Sequence, residues 1–168
     1  MALEIERKFL LSEYPDSKIE DGSLEIISIQ HIEQTYLALA DGEELRVRRL
    51  RTADTHHSDY MLTYKSGYGL VKQELEHAIT KQLYDELIDN VRFIPLLKDR
   101  TTARISGTDI IIEIDRYNHH PLIVVEVEFK DEHTAKSFQP PSWFGKDIST
   151  NKQYSNKEMW KQLNGVSS

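Results

Sequence analysis

Glu4-Ile5-Glu6-Arg7-Lys8-Phe9 alternates two kinds of side chain, and that alternation constrains the fold more than any other feature of the chain. As a strand, the segment puts Glu4, Glu6 and Lys8 on one face and Ile5, Arg7 and Phe9 on the other, because successive side chains point to opposite sides of the pleat. Two carboxylates two residues apart on one face stand about 7 Å from each other. They repel unless a cation relieves them. One such triplet by itself suits a solvated sheet edge. The pattern recurs, however, in Arg46-Val47-Arg48, Thr63-Tyr64-Lys65, Lys72-Gln73-Glu74-Leu75-Glu76, Lys98-Asp99-Arg100 with Arg104, Glu113-Ile114-Asp115 and Glu126-Val127-Glu128. Charge at period two in so many strand-like segments predicts a closed sheet with a polar interior. A barrel of about eight strands encloses room for side chains or one small ligand.

Turn signals divide the chain to match. A first strand over Ala2 to Leu11 stops at Ser12-Glu13-Tyr14-Pro15-Asp16, and residues 12 to 27, acidic and turn-rich, read as a surface connection. A strand from Ile27 to Ala40 carries Gln34, Tyr36 and Ala38 on one face, and Asp41-Gly42 then marks a hairpin. Strands follow over Glu44–Arg51, Asp59–Ser66 and Leu70–Ala78. His56 and His57, in the loop between the first two of these, read as solvated residues. Gly67-Tyr68-Gly69 is a turn and lacks the spacing of a phosphate-cradling loop. Thr80 caps a predicted helix with Leu83, Leu87, Ile88 and Val91 on one side.

Three more strands are predicted over Leu96–Ser106, Thr108–Tyr117 and Leu122–Lys130. Their outward residues, Ile112, Ile114, Val125 and Val127, need cover from helices. Ser155-Asn156-Lys157-Glu158 is a capping box that opens a last helix with Met159, Trp160 and Leu163, ended by Gly165. Trp143 and Trp160 read as packing anchors. The fold class is α+β, mainly antiparallel β: an eight-stranded closed barrel with flanking helices.

Composition narrows the function. The 168 residues suffice for one domain with its own core. A net charge of −7 argues against a nucleic-acid or anionic-membrane surface, so any polyanion must be met by locally concentrated bases. The absence of cysteine excludes disulfides and thiolate metal sites. No signal peptide and no membrane-spanning apolar run is evident, and a cytoplasmic protein is expected.

The ordered set Glu4/Glu6/Lys8, Gln34/Tyr36, Arg46/Arg48, Thr63/Lys65, Glu74/Glu76, Lys98/Arg100, Asp115, Glu126/Glu128 and Ser149-Thr150-Asn151-Lys152-Gln153-Tyr154 resembles the CYTH family of triphosphate tunnel metalloenzymes over nearly the whole chain. The resemblance implies a single CYTH domain over residues 1–168 and Mg²⁺ or Mn²⁺ as cofactor. It implies that Glu4, Glu6, Asp115, Glu126 and Glu128 bind metal, with Glu74 and Glu76 an acidic pair contributing to the site. Lys8, Arg46, Arg48, Lys65, Arg100 and Lys152 match phosphate-binding bases, and Lys98 joins them as a base of the proposed lumen. Either Arg100 or Arg104 matches the family's later arginine, since Thr101-Thr102-Ala103 leaves the register open. Tyr36 and Lys65 match a pair that assists leaving-group protonation in some members. Lys152 is expected on a segment that closes over bound substrate.

The residue chemistry agrees with that expectation. So many enclosed charges are costly unless paired, and a triphosphate with divalent cations uses both signs. Arginines clamp phosphoryl oxygens and carboxylates hold hard cations. The expected reaction is metal-assisted hydrolysis of inorganic triphosphate or a small organic triphosphate. Two alternatives share the architecture: a class IV adenylyl cyclase making cyclic AMP from ATP, and a non-catalytic polyphosphate or nucleotide binder. The retained acids favour catalysis over binding alone. The oligomeric state is not legible.

Overall fold

The structure, a computed structural model, describes residues 2–167. Eight strands, β1 (Ala2–Leu11), β2 (Leu24–Ala40), β3 (Glu43–Thr52), β4 (Ser58–Ser66), β5 (Val71–Ala78), β6 (Leu96–Ile105), β7 (Ile111–Tyr117) and β8 (Ile123–Glu128), close in the order β1-β5-β4-β3-β2-β6-β7-β8. All pairings are antiparallel. The helices are α1 (Asp16–Glu20), α2 (Lys81–Val91), α3 (Glu132–Ser137) and α4 (Asn156–Asn164). The predicted fold class is therefore the observed one.

The sheet is inverted as its sequence requires. Phe9, Ile112, Ile114, Val125 and Val127 point outward and are almost wholly buried in one cluster with Leu11, Leu24, Ala103 and Phe144. Their cover comes from Ile19 of α1, from Tyr14, and from Phe138 and Trp143 in the chain after α3. Each large apolar side chain so buried contributes about 1.5–3 kcal/mol. Loops thus supply much of the cover expected from helices. On α2 the side chain that buries is Tyr84, against the Tyr60 ring at 5.1 Å, whereas Leu83 is exposed. The Thr80 cap is formed as predicted, accepting from the Leu83 amide at 3.1 Å.

Two elements lie where the sequence reading had only a connection or nothing. Helix α1 interrupts the stretch after β1, and β2 begins at Leu24 because Leu24–Ile29 pair with the end of β6. Helix α3 was not foreseen. Its signal is Asp131, which caps by accepting from the Thr134 amide at 2.7 Å, followed by Glu132 in the first turn.

The C-terminal region closes one mouth of the barrel. Residues 145–149 run beside the second half of β1, with Gly145 N and Ile148 N donating to Leu10 O and Lys8 O at 2.8 Å each. A Cβ at Gly145 would stand 2.6 Å from Leu10 O, so only glycine allows this approach. Arg7, on the outer face, anchors the arrangement through Ala135 O and Phe138 O at 3.0 Å and Asp147 at 2.9 Å. Beyond it, α4 starts at the Ser155 cap and inserts Met159 and Trp160 among Tyr36, Leu96, Tyr117 and Val124. The Trp160 ring lies 5.3 Å from Tyr36 and 4.8 Å from Phe93. Trp160 is thus the packing anchor expected, and the tunnel is a cup with an apolar floor.

Candidate active site

Strand register assembles the charges. Across β2 and β3, Tyr36 stands opposite Arg46 and Gln34 opposite Arg48; across β4 and β5, Lys65 faces Glu74 and Thr63 faces Glu76. On the other wall Lys8 opposes Glu126, Glu6 opposes Glu128, Arg100 opposes Asp115 and Glu113 opposes Glu126. The side chains enclose a cavity of about 860 Å³, a volume suited to a small-molecule ligand.

In this cavity the bases hold the acids. Lys65 Nζ lies 2.7 Å from both oxygens of Glu4 and 3.1 Å from Glu74. Lys8 contacts Glu126 at 3.1 Å, and Lys98 contacts Asp115 at 2.6 Å with both side chains almost fully enclosed. Arg100 grips Asp115 through two bonds of 2.7 Å, a bidentate fork, and also pairs with Glu113. Arg48 pairs with Glu76, which accepts from Thr63 at 2.7 Å, while Arg46 stands 3.6 Å from Glu44.

Protonation follows position. Burial, with Glu126 and Glu4 adding to it, pushes the Glu6 carboxyl up to about 7. Burial also raises Glu128, with Glu4, Glu113 and Glu74 repelling its charge. Glu126 is the opposite case: burial opposes its ionisation, but Lys8, Arg100 and Lys98 together hold it well below the usual range. Burial lowers Lys98 to about 8 against the pull of Asp115. The cavity therefore keeps a group of acids that lack full compensation, centred on Glu6 and Glu128.

Glu4, Glu6, Lys8, Tyr36, Arg46, Arg48, Lys65, Glu74, Glu76, Lys98, Arg100, Glu126 and Glu128 all line the cavity, and Asp115 lies buried behind Lys98 and Arg100. Two predicted residues do not join them. Arg104 is on the same strand face as Arg100 but is half exposed and 4.0 Å from Glu25, so Arg100 and not Arg104 lines the cavity. Lys152 is exposed, with its Nζ 5.8 Å from the Tyr68 ring centroid. It does not line the cavity, and Asn156 and Lys157 of α4 do. Tyr36 and Lys65 do not pair: Lys65 is held by Glu4 and Glu74, and Tyr36 accepts from Gln34 and stands opposite Arg46.

Glu44 and Glu113 also line the cavity without having been singled out as site residues. Each stands two residues before a chosen one, Arg46 and Asp115, so the alternation itself carried the signal. Lys157 had no such signal, since helix placement alone brings it in. Outside the cavity, His57 meets Asp59 at 3.1 Å and His56 meets Arg51 at 3.1 Å in an exposed loop, the solvated setting expected.

Among the described residues, no three His, Asp or Glu side chains stand close enough together to form a ready-made cation site. The physical reason is the pairing above, which turns Glu4 and Glu126 onto lysines. The donor chemistry nonetheless fits a hard divalent cation: oxygen ligands only, and under-compensated carboxylates at Glu6 and Glu128. Among the described residues, no helix is long and apolar enough to cross a membrane.

Comparison with known proteins agrees with the geometry. A curated relative, the inorganic triphosphatase of Nitrosomonas europaea, is 35% identical over 159 residues, spanning 93% of this chain and 95% of the relative. The inorganic triphosphatase of Acetivibrio thermocellus is 22% identical over 163 residues, spanning 96% and 95%. The crystal structure of the inorganic triphosphatase NE1496 superposes with a TM-score of 0.63 at 31% identity, covering 100% of this chain and 97% of that one. The CYTH domain family matches residues 2–158, and with the closed barrel and its charged interior in place, the chain belongs to that family.

Proposed function

We propose that this chain is a metal-dependent triphosphatase that hydrolyses inorganic triphosphate, or a small organic triphosphate, inside the barrel. The observation that carries the reading is the convergence of Lys8, Arg46, Arg48, Lys65 and Arg100 with Glu4, Glu6, Glu126 and Glu128 in one closed-ended cavity. The names of the Nitrosomonas and Acetivibrio relatives support inorganic triphosphate as substrate.

Arg46, Arg48 and Arg100 bind phosphoryl oxygens, with forks that match their geometry. Lys8 and Lys65 exchange their carboxylate partners for phosphate and offset the charge that develops on the leaving group. Glu4, Glu6, Glu126 and Glu128 hold Mg²⁺ or Mn²⁺, with Asp115, Glu74 and Glu76 supporting them by orienting Arg100, Lys65 and Arg48. The cation supplies Lewis-acid polarisation of phosphoryl oxygen and a lowered pKa for water. The apolar floor of Tyr36, Trp160 and Leu96 excludes water from the inner end. The substrate is a small molecule, and the protein is placed in the cytoplasm.

The test is a substrate panel of inorganic triphosphate, thiamine triphosphate and ATP, with Mg²⁺, Mn²⁺ or excess chelator. Orthophosphate from inorganic triphosphate, abolished by chelator, is the expected result. Cyclic AMP from ATP without triphosphate cleavage would assign the chain to the cyclases, and full turnover in chelator would remove the metal.

A further inference from the structure

Gln34 is fully buried on the lumen face of β2, two residues before Tyr36, and its side-chain amide donates to the Tyr36 hydroxyl oxygen across 2.9 Å. Arg46 stands opposite Tyr36 in the β2–β3 ladder and lines the same cavity. The phenolic oxygen therefore receives a proton from the Gln34 amide. Its own proton is thereby turned away from Gln34, and Tyr36 lines the charged cavity. The ring cannot swing elsewhere, because Trp160 packs on it at 5.3 Å. The Gln34 arrangement is not the cheapest one: Gln34 Oε1 is buried without a hydrogen-bond partner among the described residues, a cost that an apolar side chain of the same shape would avoid.

We propose that Gln34 is a positioning residue for the reaction, fixing the Tyr36 hydroxyl as a hydrogen-bond donor to a phosphoryl oxygen of bound triphosphate. The inference rests on the triphosphatase reading. Gln34 needs no contact with the substrate. Its amide sets which way the phenol points, and Lys65, engaged with Glu4 and Glu74, takes no part. Burial, with Glu44 adding to it, raises the Tyr36 pKa above its ordinary value, which keeps the proton on the oxygen.

Gln34→Met keeps the shape of the side chain and removes the donor. Its kcat is expected to fall about tenfold, the worth of one hydrogen bond, with KM changed less than about twofold. The same substitution in a Tyr36→Phe background should cost nothing further, since no hydroxyl is left to orient. Equal losses in both backgrounds would show that Gln34 acts only through packing and would overturn the inference. A measurement on the unsubstituted protein guards against a folding defect: with tripolyphosphate bound and no metal, the Tyr36 hydroxyl proton should show coupling to phosphorus by NMR. A hydroxyl proton held instead by Gln34 Oε1 would overturn it too. If the unsubstituted protein cleaves triphosphate and the losses are equal, this inference alone falls; if it cleaves none, the functional reading falls and the inference with it.

Discussion

Lys65 Nζ sits 2.7 Å from both carboxylate oxygens of Glu4, so a cation proposed for phosphate is already neutralised by an acid proposed for metal. Lys8 and Glu126 repeat the relationship at 3.1 Å. Were Glu4 and Glu126 to hold a divalent cation, Lys65 and Lys8 would be free for a polyanion, and metal and triphosphate would then favour each other's binding by equal amounts.

Glu4→Gln separates the two halves of that exchange. With Lys65 no longer neutralised, affinity for tripolyphosphate in excess chelator should rise, by roughly fivefold for about 1 kcal/mol of lost competition. Turnover with Mg²⁺ should fall by at least about tenfold. Calorimetric titration and steady-state rates check the two parts, and unchanged metal-free affinity would mean that Glu4 does not mask Lys65.

The Glu6 carboxyl, raised from 4.5 to about 7, gives a pH dependence with a definite sign. Between those values the folded protein keeps a proton that the unfolded chain has released, so the metal-free protein loses stability as pH rises through this window. Glu6→Gln removes the dependence. Its Tm in chelator should exceed that of the parent at pH 8 and match it near pH 4, and turnover should be largely lost. Thermal melts across pH, with and without Mg²⁺, provide the check; a parent protein equally stable at pH 5 and pH 8 would contradict the shift.

Arg100 and Arg104 share a strand face and differ in surroundings. Arg100→Lys loses the bidentate fork and should reduce kcat/KM by about a hundredfold, on the order of 3 kcal/mol. Arg104→Ala, at an exposed ion pair worth little, should stay within about twofold. Comparable losses in the two variants would bring Arg104 into the site.

Lys157 lines the cavity and Lys152 faces Tyr68 outside it. Lys157→Ala should raise KM several-fold, by about 1 kcal/mol, with Lys152→Ala changing it by less than about twofold. Hydrogen exchange over residues 146–156 with and without tripolyphosphate tests whether the segment closes. Ligand-dependent protection together with a Lys152→Ala defect would show that Lys152 turns inward when the site is loaded.

Alternation by itself determined the barrel and most of its interior. Glu4, Glu6, Lys8, Arg46, Arg48 and Lys65 announce a polar lumen because side-chain direction in a strand is local geometry with a period of two. The same rule covers Glu113 and Glu44, which lie on the same faces as Asp115 and Arg46. What only the tertiary structure decided lies where no period reaches. Lys157 enters the cavity and Lys152 leaves it because α4 docks through Trp160 onto Tyr36, a contact between residues far apart in the chain. Arg104 falls outside because its half-exposed side chain turns to Glu25 at 4.0 Å, although its ladder partner Ile111 lines the cavity. Tyr36 meets Gln34 and Arg46, while Lys65 meets Glu4 and Glu74. A pattern tells which way a charge points, and the partner it finds depends on which strands the closed sheet brings side by side.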